Sequence, residues 1–176
     1  LGGGHWTVYA FLKCLFAKIL LEKSSFKRIF IINLDPHTDT RVDRIPHSGN
    51  PFRRLFSEIL FPELSLVQVH TDFLANTRET LDAVPMVFLR SFSELETFSA
   101  QFDPKRDFVF LSLDCDVIHS SLVSGVSAVN PFGIYLKTLF KYSTWFAELK
   151  TAKALGIYEY NPLYDQMGTP SAKVVT

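Results

Sequence analysis

Short, almost unbroken apolar runs alternate along this chain with longer segments of helical periodicity. Arg28 to Leu34 reads Arg-Ile-Phe-Ile-Ile-Asn-Leu, and Asp107 to Leu113 reads Asp-Phe-Val-Phe-Leu-Ser-Leu. Runs of that length, apolar on both faces, are how parallel strands covered on each side read. Ser65 to His70, Pro85 to Leu89 and Ala154 to Glu159 predict three further strands. Thr7 to Glu22 is apolar around most of its circumference, as in a helix buried against a sheet. Pro51 to Leu60 predicts a helix with Pro51 in its first turn. Ser91, with Glu94 three residues on, forms a capping-box pattern for a helix running to about Phe102, and Tyr135 to Leu149 predicts another. The expectation is an α/β fold in three layers, αβα, with a mostly parallel sheet and a single domain over 1–176. The chain opens Leu-Gly-Gly-Gly-His without an initiator Met, in what reads as a loop that follows a strand. A partial domain, incomplete at both ends, is therefore expected.

Composition changes this picture little. At 47% hydrophobic and 14% aromatic residues, with 17 phenylalanines, there is ample material for a core, and disorder is excluded. Eighteen basic residues balance 18 acidic ones, so charge makes no case for nucleic acid or an anionic membrane as partner. The apolar stretch from Val8 to Leu21 is interrupted by Lys13 and Lys18 and is too short to span a bilayer. Cys14 and Cys115 are the two cysteines; two reduced thiols in a cytoplasmic chain are expected.

In parallel α/β sheets, ligand sites form beyond the carboxyl ends of the strands. There the polar residues stand. The strand ending at Leu34 runs into Asp35-Pro36-His37-Thr38-Asp39, and the one ending at Leu113 into Asp114-Cys115-Asp116. The first loop ends in His5. In extended chain, residues two apart point the same way, so Asp35, His37 and Asp39 share one side, as do Asp114 and Asp116. Four aspartates together carry about −4 and cannot all stay ionised without compensation. Two divalent cations supply +4. An oxygen-rich set with one imidazole per ion suits Mn²⁺; Zn²⁺ favours more His or Cys, and Mg²⁺ keeps waters. A pair of ions about 3.5–4 Å apart can share one hydroxide and bring its pKa toward neutrality.

Three segments resemble the signatures of the arginase/ureohydrolase superfamily: Gly2-Gly3-Gly4-His5, Asp35 to Asp39, and Ser112-Leu113-Asp114-Cys115-Asp116. A fourth, Glu159-Tyr160-Asn161-Pro162, is similar to the Glu-x-Asn-Pro segment of that family, and the four stand in family order. The resemblance implies an arginase-like fold and two Mn²⁺ ions per subunit, held by His5, Asp35, His37, Asp39, Asp114 and Asp116. It implies that Asp39 shuttles a proton to the leaving nitrogen and that Glu159 holds a planar amidinium. It further implies a small amidine or guanidine substrate and a homo-oligomer, trimeric or hexameric.

Within the superfamily the chain most resembles formimidoylglutamases. His47-Ser48-Gly49-Asn50-Pro51-Phe52 is similar to their Ser-Gly-Thr-Pro-Phe, whereas arginases have His where Phe52 stands. Ser124-Gly125-Val126-Ser127-Ala128 is similar to their Pro-Gly-Val-Ser-Ala. That resemblance implies hydrolysis of N-formimidoyl-L-glutamate to glutamate and formamide, in histidine degradation. Ser48 and Asn50 would then bind the substrate carboxylate, with Arg41 or Arg53 pairing to it. Rival readings are an arginase or agmatinase, a non-catalytic protein on the same fold, and a zinc deacetylase on a related one. Departures from the family pattern are Trp6, whose bulk is placed to narrow the site, Pro36 between two ligands, and His119-Ser120 and Ser124 in a loop usually rich in proline. His47 is a candidate acid–base group, and His70 and His119 read as structural.

Overall fold

The computed structural model describes residues 3–21, 26–59 and 63–175. It contains α1 (Thr7–Leu21), β1 (Arg28–Leu34), α2 (Pro51–Glu58), β2 (Leu64–Val69), α3 (Arg78–Leu81), β3 (Met86–Leu89), α4 (Phe92–Ser99), β4 (Asp107–Asp114), α5 (Leu136–Glu148), β5 (Ala152–Tyr158) and α6 (Pro170–Val175). The five strands form one parallel sheet in the order β3-β2-β1-β4-β5. Among the described residues, no helix is long and apolar enough to cross a membrane.

Side chains alternate across the sheet, and each face has its own core. Ile29 and Ile31 of β1 and Phe108 and Phe110 of β4 meet Val8, Leu12 and Phe16 of α1 and Phe52 and Leu55 of α2. The intervening residues Phe30, Ile32, Val109, Leu111 and Leu113 meet Leu95 of α4, Leu139, Tyr142 and Trp145 of α5, and Val175 of α6. The expected three-layer αβα arrangement is therefore present. Burying each such aliphatic or aromatic side chain contributes about 1.5–3 kcal/mol, which is why both faces of β1 and β4 are apolar below their last turn.

Element ends moved for identifiable reasons. β2 stops at Val69 rather than His70, and β5 at Tyr158 rather than Glu159, because His70 (φ 66°) and Glu159 (φ 63°) are left-handed and cannot continue a strand. α4 ends at Ser99; Phe102 N–H donates to the Ser99 carbonyl (3.0 Å), a tightened terminal turn two residues short of Pro104. Ser91 caps α4 as expected by accepting from Glu94 N–H (3.3 Å), but the Glu94 carboxylate takes the N–H of Arg90 (2.7 Å), one residue before the cap. α2 ends at Glu58, with Ile59 extended after it. The ends predicted at Glu22 and Leu60 lie outside the described residues. α3, α6 and a 3₁₀ turn over Cys115–Val117 were not predicted, being too short to show a period.

The apolar stripe on the α1/α2 side changes character toward the carboxyl end. Along β1 it runs Ile29, Ile31, Asn33, Asp35; along β4, Phe108, Phe110, Ser112, Asp114. Chain direction across the sheet reverses between these two neighbours: β1 leads outward to β2 and β4 outward to β5. Such a switch point opens a crevice at the strand ends.

Candidate metal centre

His5 enters this crevice from the start of α1. Its backbone is fixed by Glu159, whose Oε1 accepts from His5 N–H (2.5 Å), while Glu159 N–H donates to the Gly3 carbonyl (3.0 Å). The approach is close enough that a Cβ on Gly4 would lie 2.9 Å from Ser48 Oγ and 3.4 Å from Glu159 Oε1. That crowding explains glycine at this position. The His5 ring stacks on Tyr158 (centroids 4.9 Å apart) and meets the edge of buried Phe52 (5.6 Å). Its Nε2 lies 2.8 Å from Ser112 Oγ.

The opposite ring nitrogen, Nδ1, faces carboxylates from both strand ends: Asp39 Oδ2 at 2.8 Å, Asp114 Oδ2 at 3.0 Å and Asp35 Oδ2 at 3.2 Å. Asp35 turns its second oxygen toward His37 Nδ1 (3.4 Å), which also lies 3.3 Å from Asp116 Oδ2. Two groups result, His5/Asp35/Asp39/Asp114 and Asp35/His37/Asp116, each with one potential ligand atom per residue within 4.8 Å of the others. Asp35 belongs to both. His5 and the four aspartates are buried, and His37 is partly open. All six residues named from the sequence are thus brought to one place.

The side chains do not satisfy one another. His5 Nδ1, Asp39 Oδ2 and Asp116 Oδ1 are buried without a hydrogen-bond partner, although Nδ1 has three carboxylates within 3.2 Å. The contacts converge on a point rather than pairing in hydrogen-bonding directions. The carboxyl groups feel the same shortage of positive charge. Burial, then the charge of Asp35, raises Asp39 to about 7 and Asp114 to about 6. Burial and the charge of Asp114 raise Asp116 to about 9. Contacts with Asp116 and then Asp35 draw His37 up to about 11. Burial opposes ionisation of His5, but Asp39, Asp114 and Asp35 outweigh it and hold the imidazole well above its ordinary value. Burial likewise pushes Asp35 up, yet its contacts with His37 and His5 prevail and keep it below the usual carboxylate range. Unpartnered, converging O and N donors with excess negative charge fit divalent cations.

Above the cluster lies a cleft of about 380 Å³, walled by Arg41, Ser48, Gly49, Ser127, Ala128 and Glu159. Arg41, Ser48 and Glu159, named in the sequence reading, line this cleft. Asn50 does not. It is fully buried, with its amide spent inside its own loop: Oδ1 accepts from His47 N–H (3.1 Å), and Nδ2 donates to the carbonyls of Ile45 (2.9 Å) and Asp43 (3.4 Å). It shapes the loop that presents Ser48. Arg53, on α2, does not line the cleft. Trp6 does not narrow it either; its ring stacks on Tyr9 (4.8 Å) and lies under the Arg54 guanidinium (5.5 Å). His47 is held by Asp43 (2.8 Å) and Gly49 N–H (3.0 Å), His119 by Ser121 (2.8 Å), and His70 by Tyr142 (2.7 Å). Cys14 is exposed and Cys115 buried, and both are free thiols.

Sequence reasoning missed the polar layer behind the candidate ligands. Asn33 donates to Asp35 Oδ2 (3.1 Å) and to Gln68 Oε1 (3.0 Å), and Gln68 Nε2 donates to the Thr38 carbonyl (2.9 Å). Ser112 orients His5, and Asn76 grips the loop after β1. Two polar residues on the inner face of otherwise apolar strands, Asn33 and Gln68, were the available signal.

The arginase family model matches residues 1–176. Formimidoylglutamase from Rhodococcus jostii is 28% identical over 178 residues, covering 94% of this chain and 55% of the relative. That of Staphylococcus epidermidis is 30% identical over 174 residues, with 94% and 54% covered. The crystal structure of formimidoylglutamase from Bacillus subtilis superposes with a TM-score of 0.77 at 25% identity, covering 99% of this chain and 56% of that one. The chain thus spans about half the length of these relatives. Fold, motif order and the match along the whole chain agree: this chain belongs to the arginase family.

Proposed function

We propose that the full-length protein is a dinuclear manganese hydrolase of linear amidines, with N-formimidoyl-L-glutamate as substrate and glutamate and formamide as products. The observation that carries this is the sharing of Asp35 between two converging ligand groups at the floor of a cleft that Glu159 and Arg41 enter from opposite segments. His5, Asp35, Asp39 and Asp114 would hold one ion, and Asp35, His37 and Asp116, with Asp114 beside them, the other. Bound there, a pair of divalent ions supplies an acidified water and electrostatic stabilisation of developing negative charge.

The chain's own residues do the rest. Glu159 accepts His5 N–H with one lone pair of Oε1, which fixes the carboxylate and leaves acceptor capacity on both oxygens for the parallel N–H groups of a planar amidinium. Asp39 belongs to the ligand cluster and also lines the cleft, a place from which a carboxylate can take a proton from water and pass it to the departing nitrogen. Ser48 and Arg41 provide a hydroxyl and a cation at the rim for the substrate's carboxylates. Phe52, beneath His5, is the formimidoylglutamase-like choice over the arginase-like His. The experiment is a substrate panel with manganese: formamide from N-formimidoyl-L-glutamate is expected. Urea from arginine or agmatine, with no formamide, would instead assign a guanidino hydrolase.

A further inference from the structure

We propose that Asn76 is a positioning residue for the metal centre, setting the spacing of Asp35, His37 and Asp39 from the far side of the strip that carries them. This rests on the metal reading above. In residues 35–40, alternate side chains face opposite ways. Asp35, His37 and Asp39 face the centre, and Pro36, Thr38 and Thr40 contact the segment 72–80.

A side-chain amide offers two N–H donors and an oxygen with two lone pairs. Asn76 uses all four. Its Nδ2 donates to the carbonyls of Pro36 (2.8 Å) and Asp72 (2.7 Å). Its Oδ1 accepts from Thr38 N–H (2.9 Å) and from the Thr38 hydroxyl (3.1 Å). Three of these bonds fall on the two residues lying between the three ligands. Pro36 has no N–H, so its carbonyl is the only backbone group there that can be gripped, and Asp72 N–H binds it as well (2.9 Å). Thr38 is held at its other end by Gln68 Nε2 on the carbonyl. Asp39, next along, is left-handed (φ 54°), a conformation that is strained for a non-glycine residue and persists only where its surroundings enforce it.

Groups that orient ligands from behind change metal affinity by about 10–100-fold when removed. Two variants separate this role from general support. Asn76→Ala removes all four bonds. Asn76→Asp keeps the shape and an acceptor for Thr38 but removes both donors, and it serves if the alanine variant does not fold. The control is Thr77→Ala, which removes the N-cap of α3 (Thr80 N–H to Thr77 Oγ1, 3.3 Å) and leaves the Asn76 amide in place.

The full-length protein and its variants would be titrated with Mn²⁺, reading free ion and the spin-coupled pair by electron paramagnetic resonance, with thermal unfolding measured alongside. The parent and Thr77→Ala are expected to fill two sites alike, and both Asn76 variants to bind about 10–100-fold more weakly. Parental affinity in both Asn76 variants would overturn the inference, and so would equal weakening in Thr77→Ala. A parent that takes up no manganese overturns the metal reading and this inference with it.

Discussion

Strands β1 and β4 bury aspartates at both ends, and the two ends treat them oppositely. At the amino end Asp107 is fully buried and answered: Arg28 donates through Nε (2.7 Å) and Nη2 (2.6 Å), and Asp103 N–H adds a third bond (2.7 Å). At the carboxyl end four buried aspartates face two imidazoles, and three polar atoms stay unpartnered. A fold that only needed to be stable would repeat the first arrangement. The difference teaches that buried charge at the amino end closes the sheet, whereas at the carboxyl end it is held ready for cations at a cost to the metal-free protein.

Asp114→Asn breaks the comparison most severely. It keeps Oδ1 as acceptor for Asp116 N–H (3.0 Å) but removes one negative charge from the centre. Manganese-dependent turnover is expected to vanish, while the metal-free variant melts no lower than the parent at pH 8. Turnover at the parental rate would refute the assignment of Asp114. At the other end, Arg28→Ala leaves Asp107 buried with one N–H partner. It should cost about 3 kcal/mol of stability. Manganese affinity should not change, because seven residues of strand, about 20 Å, separate it from the centre. Denaturant unfolding and metal titration of that one variant read both halves.

Proton linkage sharpens the contrast. Asp114, Asp39 and Asp116 titrate at about 6, 7 and 9 in the folded chain, above the ordinary carboxylate value, and His37 at about 11, above the ordinary imidazole value. Each such group makes the folded state bind more protons than the unfolded one, so stability falls as pH rises. For the carboxyls the loss begins near pH 4 and extends to about 9; for His37 it runs from about 6.5 to 11. Asp35, lowered, opposes this only at acidic pH. Metal-free protein should therefore melt lower at pH 8 than at pH 5. Bound manganese would displace those protons, so its binding should tighten over the same range and reverse the trend. Melting curves at both pH values, with and without manganese, check this. A metal-free protein that gains stability toward pH 8 would contradict it.

The fold was legible because both faces of β1 and β4 are covered, so their apolar runs announce themselves without context. The candidate ligands were legible because they follow the strand ends directly: Asp35 continues the facing of Ile29 and Ile31, whereas His37 and Asp39 reach the same point through a bend and a left-handed residue. Other features depended on tertiary contacts. Asn50 looked like a substrate contact because of its neighbours in sequence, but its own loop satisfies its amide. Trp6 looked obstructive because it follows a ligand, but Arg54 and Tyr9 give it a place outside the cleft. Asn76 stands 40 residues from Pro36 and in no motif, so nothing local marks it as the grip on the ligand strip.

The smallest effect tests whether the amino end depends on geometry as well as charge. Arg28→Lys keeps the cation but replaces a planar fork with a single point charge. The parent bond is forked, with Nε on Asp107 Oδ1 and Nη2 on Oδ2, and Nη2 also reaches the Gln101 carbonyl (3.0 Å). Lysine can supply the charge but not both directed bonds, so one Asp107 oxygen loses its charge-assisted partner. The expected cost is about 1–1.5 kcal/mol, between the parent and Arg28→Ala, with manganese binding again unmoved. Equality with the parent would mean that the amino end needs only a positive charge nearby. Equality with the alanine variant would mean that the fork is the whole of its contribution, and the contrast with the carboxyl end would then be one of directed bonding as much as of charge.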